Sequence, residues 1–178
     1  YMRDYYRDVQ LVFQDPASSM NPRRRVVQTL LEPLHAFQLL GARKPRDAAI
    51  ELLEMVGLEA RYLDCYPHEL SGGQKQRVVI ARALAVKPRV LIADEPLAAL
   101  DVSIQAQVLN LLTQLKRELQ LAIMFISHDL AAVAHMSQRI LAIKEGVIVE
   151  EAQTSEFVTH AQHPYSRQLL AAAGGVGS

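Results

Sequence analysis

Val90-Leu91-Ile92-Ala93 and Leu121 to Ile126 are apolar runs without alternation, and the segment between them has a helical period. A strand wetted on one face alternates apolar and polar residues. An unbroken run suits a strand buried on both faces, as in a parallel sheet. Between the runs, Val108, Leu111, Leu112, Leu115 and Leu119 form one stripe, behind Asp101 as the expected N-cap. Strand, helix, strand in that order needs a crossover, so the expected fold is α/β with a parallel sheet.

The rest of the chain is placed around this unit. Residues 1–13 read as strand-like, with Val9 to Phe13 a short strand ending at Gln14-Asp15-Pro16. Val26 to about Leu40 has a helical pattern, with Pro33 as a break or kink. A second helix starts at Pro45, has an apolar face of Ala49, Leu52, Leu53 and Val56, and closes at Gly57. Tyr62 to Glu69 reads as irregular, and a helix from about Gly73 to Val86 stops before Pro88. Leu130 to Met136 is helical. Arg139 to Lys144 and Val147 to Glu150 form an expected hairpin about Glu145-Gly146. Short helices over Ser155 to Thr159 and Pro164 to Ala173 complete the order, with a mobile tail expected over 174–178. Residues 15–86 thus form a helical block inserted between sheet strands, 87–151 the α/β core, and 152–178 a helical tail.

Composition removes several functions. Lys plus Arg equals Asp plus Glu at 19 each, so no global charge draws the 178-residue chain to nucleic acid or an anionic membrane. Arg23-Arg24-Arg25 reads as a solvated basic run. Cys65 is the single cysteine, which excludes an internal disulfide and fits a reducing compartment. No apolar run approaches the roughly 18 residues of a membrane-spanning helix.

The polar residues that end the strands carry the chemistry. Open parallel sheets bind ligands at the carboxyl ends of their strands. Here Phe13 leads into Gln14, Ala93 into Asp94-Glu95, and Ile126 into Ser127-His128. Adjacent carboxylates on an extended chain diverge, so one suits Mg²⁺, held through water, and the other suits orienting an attacking water. A salt-bridged acidic pair is the plainer alternative. Ser127-His128-Asp129 is contiguous, which argues against a hydrolase triad. A helix-capping cluster, or a histidine donating to a phosphate, fits better. In "LSGGQKQR", Leu70 to Arg77, Ser71-Gly72-Gly73 precedes a helix. Glycines admit a ligand close to the backbone, and helix N-terminal amides attract anions. A simple cap is the alternative use of such a turn.

These motifs, in this order, resemble those of the ATP-binding-cassette ATPases. Leu70 to Gln74 resembles the family signature, Val90 to Glu95 the Walker B strand, and Ala99-Leu100-Asp101 the D-loop. His128 resembles the switch histidine and Gln14 the Q-loop glutamine. "VFQDPASSMNPRRRVVQTLLEPL", "DVSIQAQVLNLL", "FISHDLAAVAHMSQRI" and "QHPYSRQLL" are similar to the peptide and nickel importer subfamily. Ala98 departs from the Ser often found there before the D-loop.

The resemblance implies a P-loop NTPase-like core, with 1–14 ending its N-terminal part at the Q-loop and with the signature inside the helical block. It implies ATP and Mg²⁺ as cofactors. Asp94 and Gln14 would hold the metal through water, and Glu95, His128 and Gln14 would serve catalysis. Ser71, Gly72, Gly73 and Gln74 would bind ATP carried by the opposite subunit, and Asp101 would couple the two sites. The implied partners are transmembrane permease subunits, a second ATPase subunit and, through the complex, a solute-binding protein. The implied location is the cytoplasmic face of a prokaryotic cell membrane. The implied cargo is peptide or a related solute, nickel included.

A site of this kind needs a G-x-x-x-x-G-K-S/T phosphate loop. The eight glycines provide none, and 13 residues precede Gln14, where the family carries that loop further upstream. The chain is therefore expected to be the C-terminal part of an ATPase domain, inactive alone. The alternatives are a non-catalytic partner that supplies only the signature face, and a DNA- or ribosome-directed ATPase. The 55 residues between Gln14 and Leu70 leave little room for the coiled coil of DNA-repair members.

Overall fold

In the computed structural model, which describes residues 2–174, strand β1 (Val9–Val12) lies parallel to β2 (Val90–Asp94). Val9 is level with Val90 and Val12 with Ala93. Strand β3 (Ala122–Ile126) completes a sheet of order β1-β2-β3. Backbone contacts divide the chain into two compact units, Tyr1–Met124 and Phe125–Ser178.

In the first unit, β1 is preceded by helix α1 (Met2–Asp8), where a strand-like segment was expected. Met2 to Asp8 lacks period-two alternation and buries no side chain. Asp4 in its first turn and Arg7 in its last complement the helix dipole, and Tyr5 and Tyr6 meet edge to face. The sheet departs from expectation in coverage. Leu91 and Ala93 are buried, but Leu11 and Phe13 remain 40% and 53% exposed, and Ile92, level with Leu11, is only partly covered. One face of the sheet is therefore packed and the other is open among the described residues.

The packed face meets a helical block. Helix α2 (Val26–Ala36) accommodates Pro33 but ends three residues later, before Gln38 turns to φ 57°. Helix α3 (Pro45–Met55) buries Ala49, Leu52 and Leu53 as its spacing predicts. Gly57 closes it at φ +69°, with Leu58 N–H reaching Leu53 O at 2.9 Å. Residues 62–69 are not wholly irregular, since short 3-10 helices span Ala60–Asp64 and Pro67–Glu69. Arg46 donates to both carboxylate oxygens of Asp64, at 3.2 and 2.7 Å, and holds that carboxyl below its usual range. Helix α4 (Gly72–Leu84) packs against α2, α3 and β1 through Val78, Val79, Ile80, Ala83 and Leu84. Arg77 and Arg82 lock it. Arg77 donates to Val56 O at 3.0 Å and Gln107 Oε1 at 3.2 Å. Arg82 donates to Ser19 O at 2.8 Å and pairs with Glu32 at 3.2 Å.

Helix α5 (Val102–Glu118) buries Val108, Leu111, Leu112 and Leu115, while Leu119, at its end, is exposed. Asp101 is its N-cap residue, yet its side chain makes no capping bond. Only its carbonyl serves the helix, accepting from Ile104 N and Gln105 N at 2.9 Å each.

The second unit contains helix α6 (Leu130–Met136), strands β4 (Arg139–Lys144) and β5 (Val147–Gln153), and helices α7 (Thr154–His160) and α8 (Pro164–Ala172). The hairpin turns at Glu145 and Gly146, both at positive φ, as a two-residue type I′ turn requires. Strand β5 runs three residues past the expected Glu150, because pairing continues to Arg139 opposite Gln153. Phe157 is buried with Leu130, Ile140 and Ala142, and Val133, Val149, Ala152 and Leu170 pack around them. The expected mobile tail lies, beyond Gly174, outside the described residues.

Candidate functional site

Gln14 and the Asp94-Glu95 pair leave the same end of the sheet, because β1 and β2 are parallel neighbours in register. Gln14 is exposed, one residue beyond Phe13. Asp94 is the last residue of β2 and is partly buried. Glu95 sits at φ 47°, so the chain is not extended there. The expectation that two adjacent carboxylates diverge as on an extended strand therefore does not apply at this position. Such a conformation costs a non-glycine residue on the order of 1–3 kcal/mol and concentrates at functional sites. Ala98 N–H closes the turn on Glu95 O at 3.2 Å.

Ser71 is the N-cap of α4. Its Oγ accepts from Gln74 N at 3.3 Å, and its own N–H donates to Gln74 Oε1 at 2.9 Å. This reciprocal box uses a lone pair of the serine oxygen and leaves its O–H to donate outward. Gln74 is occupied twice over, since its Nε2 also donates to Tyr62 Oη at 3.0 Å. Its place is thus the support of the turn.

The two glycines have distinct steric reasons. A Cβ on Gly72 would meet Leu100 Cδ2 at 3.4 Å and Ala99 O at 3.9 Å, ordinary contact. A Cβ on Gly73 would lie 2.5 Å from Ile104 Cγ2, a clash with a β-branched side chain that has little freedom in a helix. Gly73 is therefore demanded by helix packing within the chain. Gly73→Ala is expected to cost about 1–3 kcal/mol by overpacking, less up to about 1 kcal/mol of gained helix propensity. Urea unfolding in an Ile104→Ala background should recover most of that cost. Equal destabilisation in both backgrounds would remove Ile104 as the cause.

The structure thus brings the Ser71-Gly72-Gly73 turn against the segment leading to Asp101, and brings Gln14 to the same sheet end as Asp94 and Glu95. His128 lies in the second unit, exposed, just before α6. Beside it, Asp129 Oδ1 accepts from Ala131 N and Ala132 N at 2.9 and 3.2 Å, and Ser127 Oγ accepts from Asp129 N at 3.1 Å. Ser127 and Asp129 are capping groups, which disposes of the triad.

The donors fit a hard cation only as part of a larger set. Asp94 offers a carboxylate and Gln14 an amide oxygen at one sheet end. No group of three or more His, Cys, Asp or Glu side chains among the described residues surrounds a metal position. Magnesium suits such a place, because it keeps waters and takes phosphate oxygens alongside one or two protein ligands.

Tyr62 and Gln105 carried no sequence signal of their own. Tyr62 acts through Gln74, twelve residues on, and Gln105 through carbonyls eight and five residues back. Gln105 Nε2 bridges Leu97 O at 3.1 Å and Leu100 O at 3.0 Å. A cavity of about 530 Å³ follows the Gln14 turn, lined among others by Ser18, Asn21, Arg24, Glu32 and Arg82.

Comparison with known proteins identifies what the chain is similar to. The family profile described as ABC transporter matches residues 2–98. The chain is 45% identical over 166 residues to the dipeptide transport ATP-binding protein DppF of Haemophilus influenzae, covering 93% of this chain and 51% of that protein. It is 47% identical over 172 residues to the probable peptide ABC transporter ATP-binding protein y4tS of Sinorhizobium fredii, covering 97% and 49%. It is 48% identical over 166 residues to the glutathione import ATP-binding protein GsiA of Escherichia coli, covering 93% and 27%. The chain spans about half the length, or less, of these relatives. Among solved structures, it is similar to the dimeric, post-hydrolysis state of the ATP-binding cassette MJ0796 bound to ADP and Pi. The TM-score is 0.73 at 33% identity, covering 86% of this chain and 66% of that one.

Proposed function

This chain belongs to the ABC transporter family, and from that premise we propose that it is the signature-bearing part of an ATP-binding subunit that energises import, with peptides as the favoured cargo class. The cargo reading is supported by relatives named for dipeptide, peptide and glutathione transport. Nickel and related solutes are the less supported cargoes.

The observation that carries the reading is the Ser71 turn. A capped serine with a spare O–H, followed by two glycines, opens helix α4 towards an anion. In the proposed mechanism Ser71 donates to a terminal phosphate brought by a second ATPase subunit. The exposed Gly72 backbone lies beside it, Gly73 is buried against Ile104, and Gln74 braces the turn. Glu95 orients and deprotonates the attacking water. His128 donates to the same phosphate, and Gln14 senses it from the end of β1. Asp94 and Gln14 would hold Mg²⁺, which when bound neutralises developing phosphate charge. Asp101 couples the two sites through its segment's contact with the signature turn. The cavity after Gln14, with its Glu32–Arg82 pair, is where a cytoplasmic loop of a permease would dock. Among the described residues no helix is long and apolar enough to cross a membrane.

The test is a chimera that places a G-x-x-x-x-G-K-S/T segment of a relative ahead of this chain. It is expected to dimerise on adding ATP and to hydrolyse it. Ser71→Arg, which fills the phosphate space, should weaken ATP-driven dimerisation at least ~10-fold, equivalent to about 1.4 kcal/mol. Absence of ATP-driven dimerisation in the parent chimera would sink the proposal and favour a non-catalytic role.

A further inference from the structure

Gln162-His163-Pro164-Tyr165 takes no part in the function proposed above, yet the second unit builds a clasp around it. Glu150, half-buried on β5, engages it with both carboxylate oxygens. Oε1 accepts from Gln162 N at 2.8 Å and Oε2 from His163 N at 2.9 Å. Hydrogen bonds to an ionised carboxylate are roughly twice as strong as neutral ones. His163 is the N-cap of α8, where its Nδ1 accepts from Tyr165 N at 3.1 Å. Pro164 restricts His163 to extended backbone, φ −75° and ψ 138°. Gln162 and His163 therefore stay outside the helix, and their amides are left for Glu150. Lys144 Nζ on β4 stands 5.4 Å from the centre of the Tyr165 ring. Burial pushes the Glu150 carboxyl up, but hydrogen bonding from Ser166 and the two amides outweighs it and holds the group below its usual range. Ser166 Oγ is fully buried and makes no regular hydrogen bond among the described residues, so its contact with this carboxylate is long or bent.

Away from the clasp, the hold on α8 is slight. Its nine residues are too few for a helix stable in isolation. Ser166 is the one residue it buries. Leu169 and Leu170 are half-buried, and Leu170 lies at the border of the Phe157 cluster. Helix α7, by contrast, buries Phe157 and packs against both β4 and β5. Among the described residues, α8 packs as closely on no other element.

We infer that α8 is a releasable strap on the second unit, fastened chiefly by the two-oxygen grip of Glu150 on the Gln162 and His163 amides. Residues 161–173 open together while α7 and the β4–β5 hairpin stay folded. Opening bares the side of the Phe157 cluster against which Leu170 packs. The Gln-His-Pro-Tyr segment thus serves to present two backbone amides to one carboxylate. None of this depends on the ATPase reading.

The experiment is amide hydrogen exchange on the 178-residue chain, read at Arg167, which donates to His163 O at 3.1 Å, and along α8. Protection of α8 should be uniform and at least ~10-fold below that of the β4–β5 ladder, as for a unit that opens by itself. Glu150→Gln keeps the length and removes the charge. It should lower α8 protection at least a further ~10-fold and leave the ladder within ~2-fold. Leu170→Ala should have a smaller effect on α8 than Glu150→Gln. Unchanged α8 protection in Glu150→Gln overturns the proposal. So does a ladder that loses protection in step with α8, since strap and hairpin would then be one unit. A larger loss in Leu170→Ala would make the apolar contact the fastener instead, and absence of α8 protection in the parent would mean that nothing is fastened. If Glu150→Gln does not fold, Glu150→Asp, which keeps the charge and shortens the reach, is read in the same way.

Discussion

Glu95→Gln is expected to lower ATP turnover in the phosphate-loop chimera by about 10²–10⁴-fold while leaving ATP binding intact. Glutamine keeps the size of the side chain and the left-handed backbone at φ 47°, so the change isolates the carboxylate. In the mechanism proposed above, the group lost is the one that orients water and accepts its proton at the end of β2. Because the product state then forms slowly, the ATP-bound dimer should accumulate. Near-normal turnover would remove Glu95 from the mechanism. A companion variant separates chemistry from strain. Glu95→Gly loses the same carboxylate but relieves a conformation that costs on the order of 1–3 kcal/mol, so it should unfold at higher urea than the parent. A less stable glycine variant would show that the Glu95 side chain holds the turn through its own contacts.

Phe157→Ala is expected to destabilise the second unit by about 3–5 kcal/mol, the cost of emptying an aromatic site in a packed core. Phe157 is 1% exposed, and the cluster around it is small: Leu130, Ile140 and Ala142 are buried with it. Few neighbours can collapse into the space, which places the cost at the upper part of that range. Leu141→Ala on the opposite face of β4, 43% exposed, should cost far less. Urea unfolding followed by a probe in the hairpin gives both values. Comparable losses for the two variants would mean that the hairpin's outer face is covered in solution.

Much of this was legible in the sequence where a single physical signal dominated. The stripe of α5, the face of α3 and the hairpin turn follow from period, proline and glycine alone. The Ser71 box was legible as a cap, since Ser followed three residues later by Gln is a local pattern. Where two signals competed, the sequence misled. Pro33 was expected to break or kink a helix reaching Leu40, and instead α2 absorbs it and ends soon after. Asp101 has a good capping side chain, but only its carbonyl is used. Helix α1 was missed because it buries nothing, so no apolar pattern marks it. The candidate residues Gln14, Asp94, Glu95 and Ser71 were visible as polar ends of elements. The φ of Glu95 and the packing demand at Gly73 depend on residues brought together by the fold, and no local pattern encodes them.

The half-covered sheet has a practical side. Leu11 and Met124 stand 40% and 55% exposed on its strands, and Phe13, just past β1, is 53% exposed. Apolar strands of this sort are templates for other chains, and charge or proline normally guards them. The 178-residue chain on its own is therefore expected to self-associate as its concentration rises, and a purification yield that falls with concentration is no sign of misfolding. Lysine introduced at Leu11 or Met124 would act as a gatekeeper. It would keep the chain dispersed during expression and leave the Ser71 turn untouched, on another part of the fold.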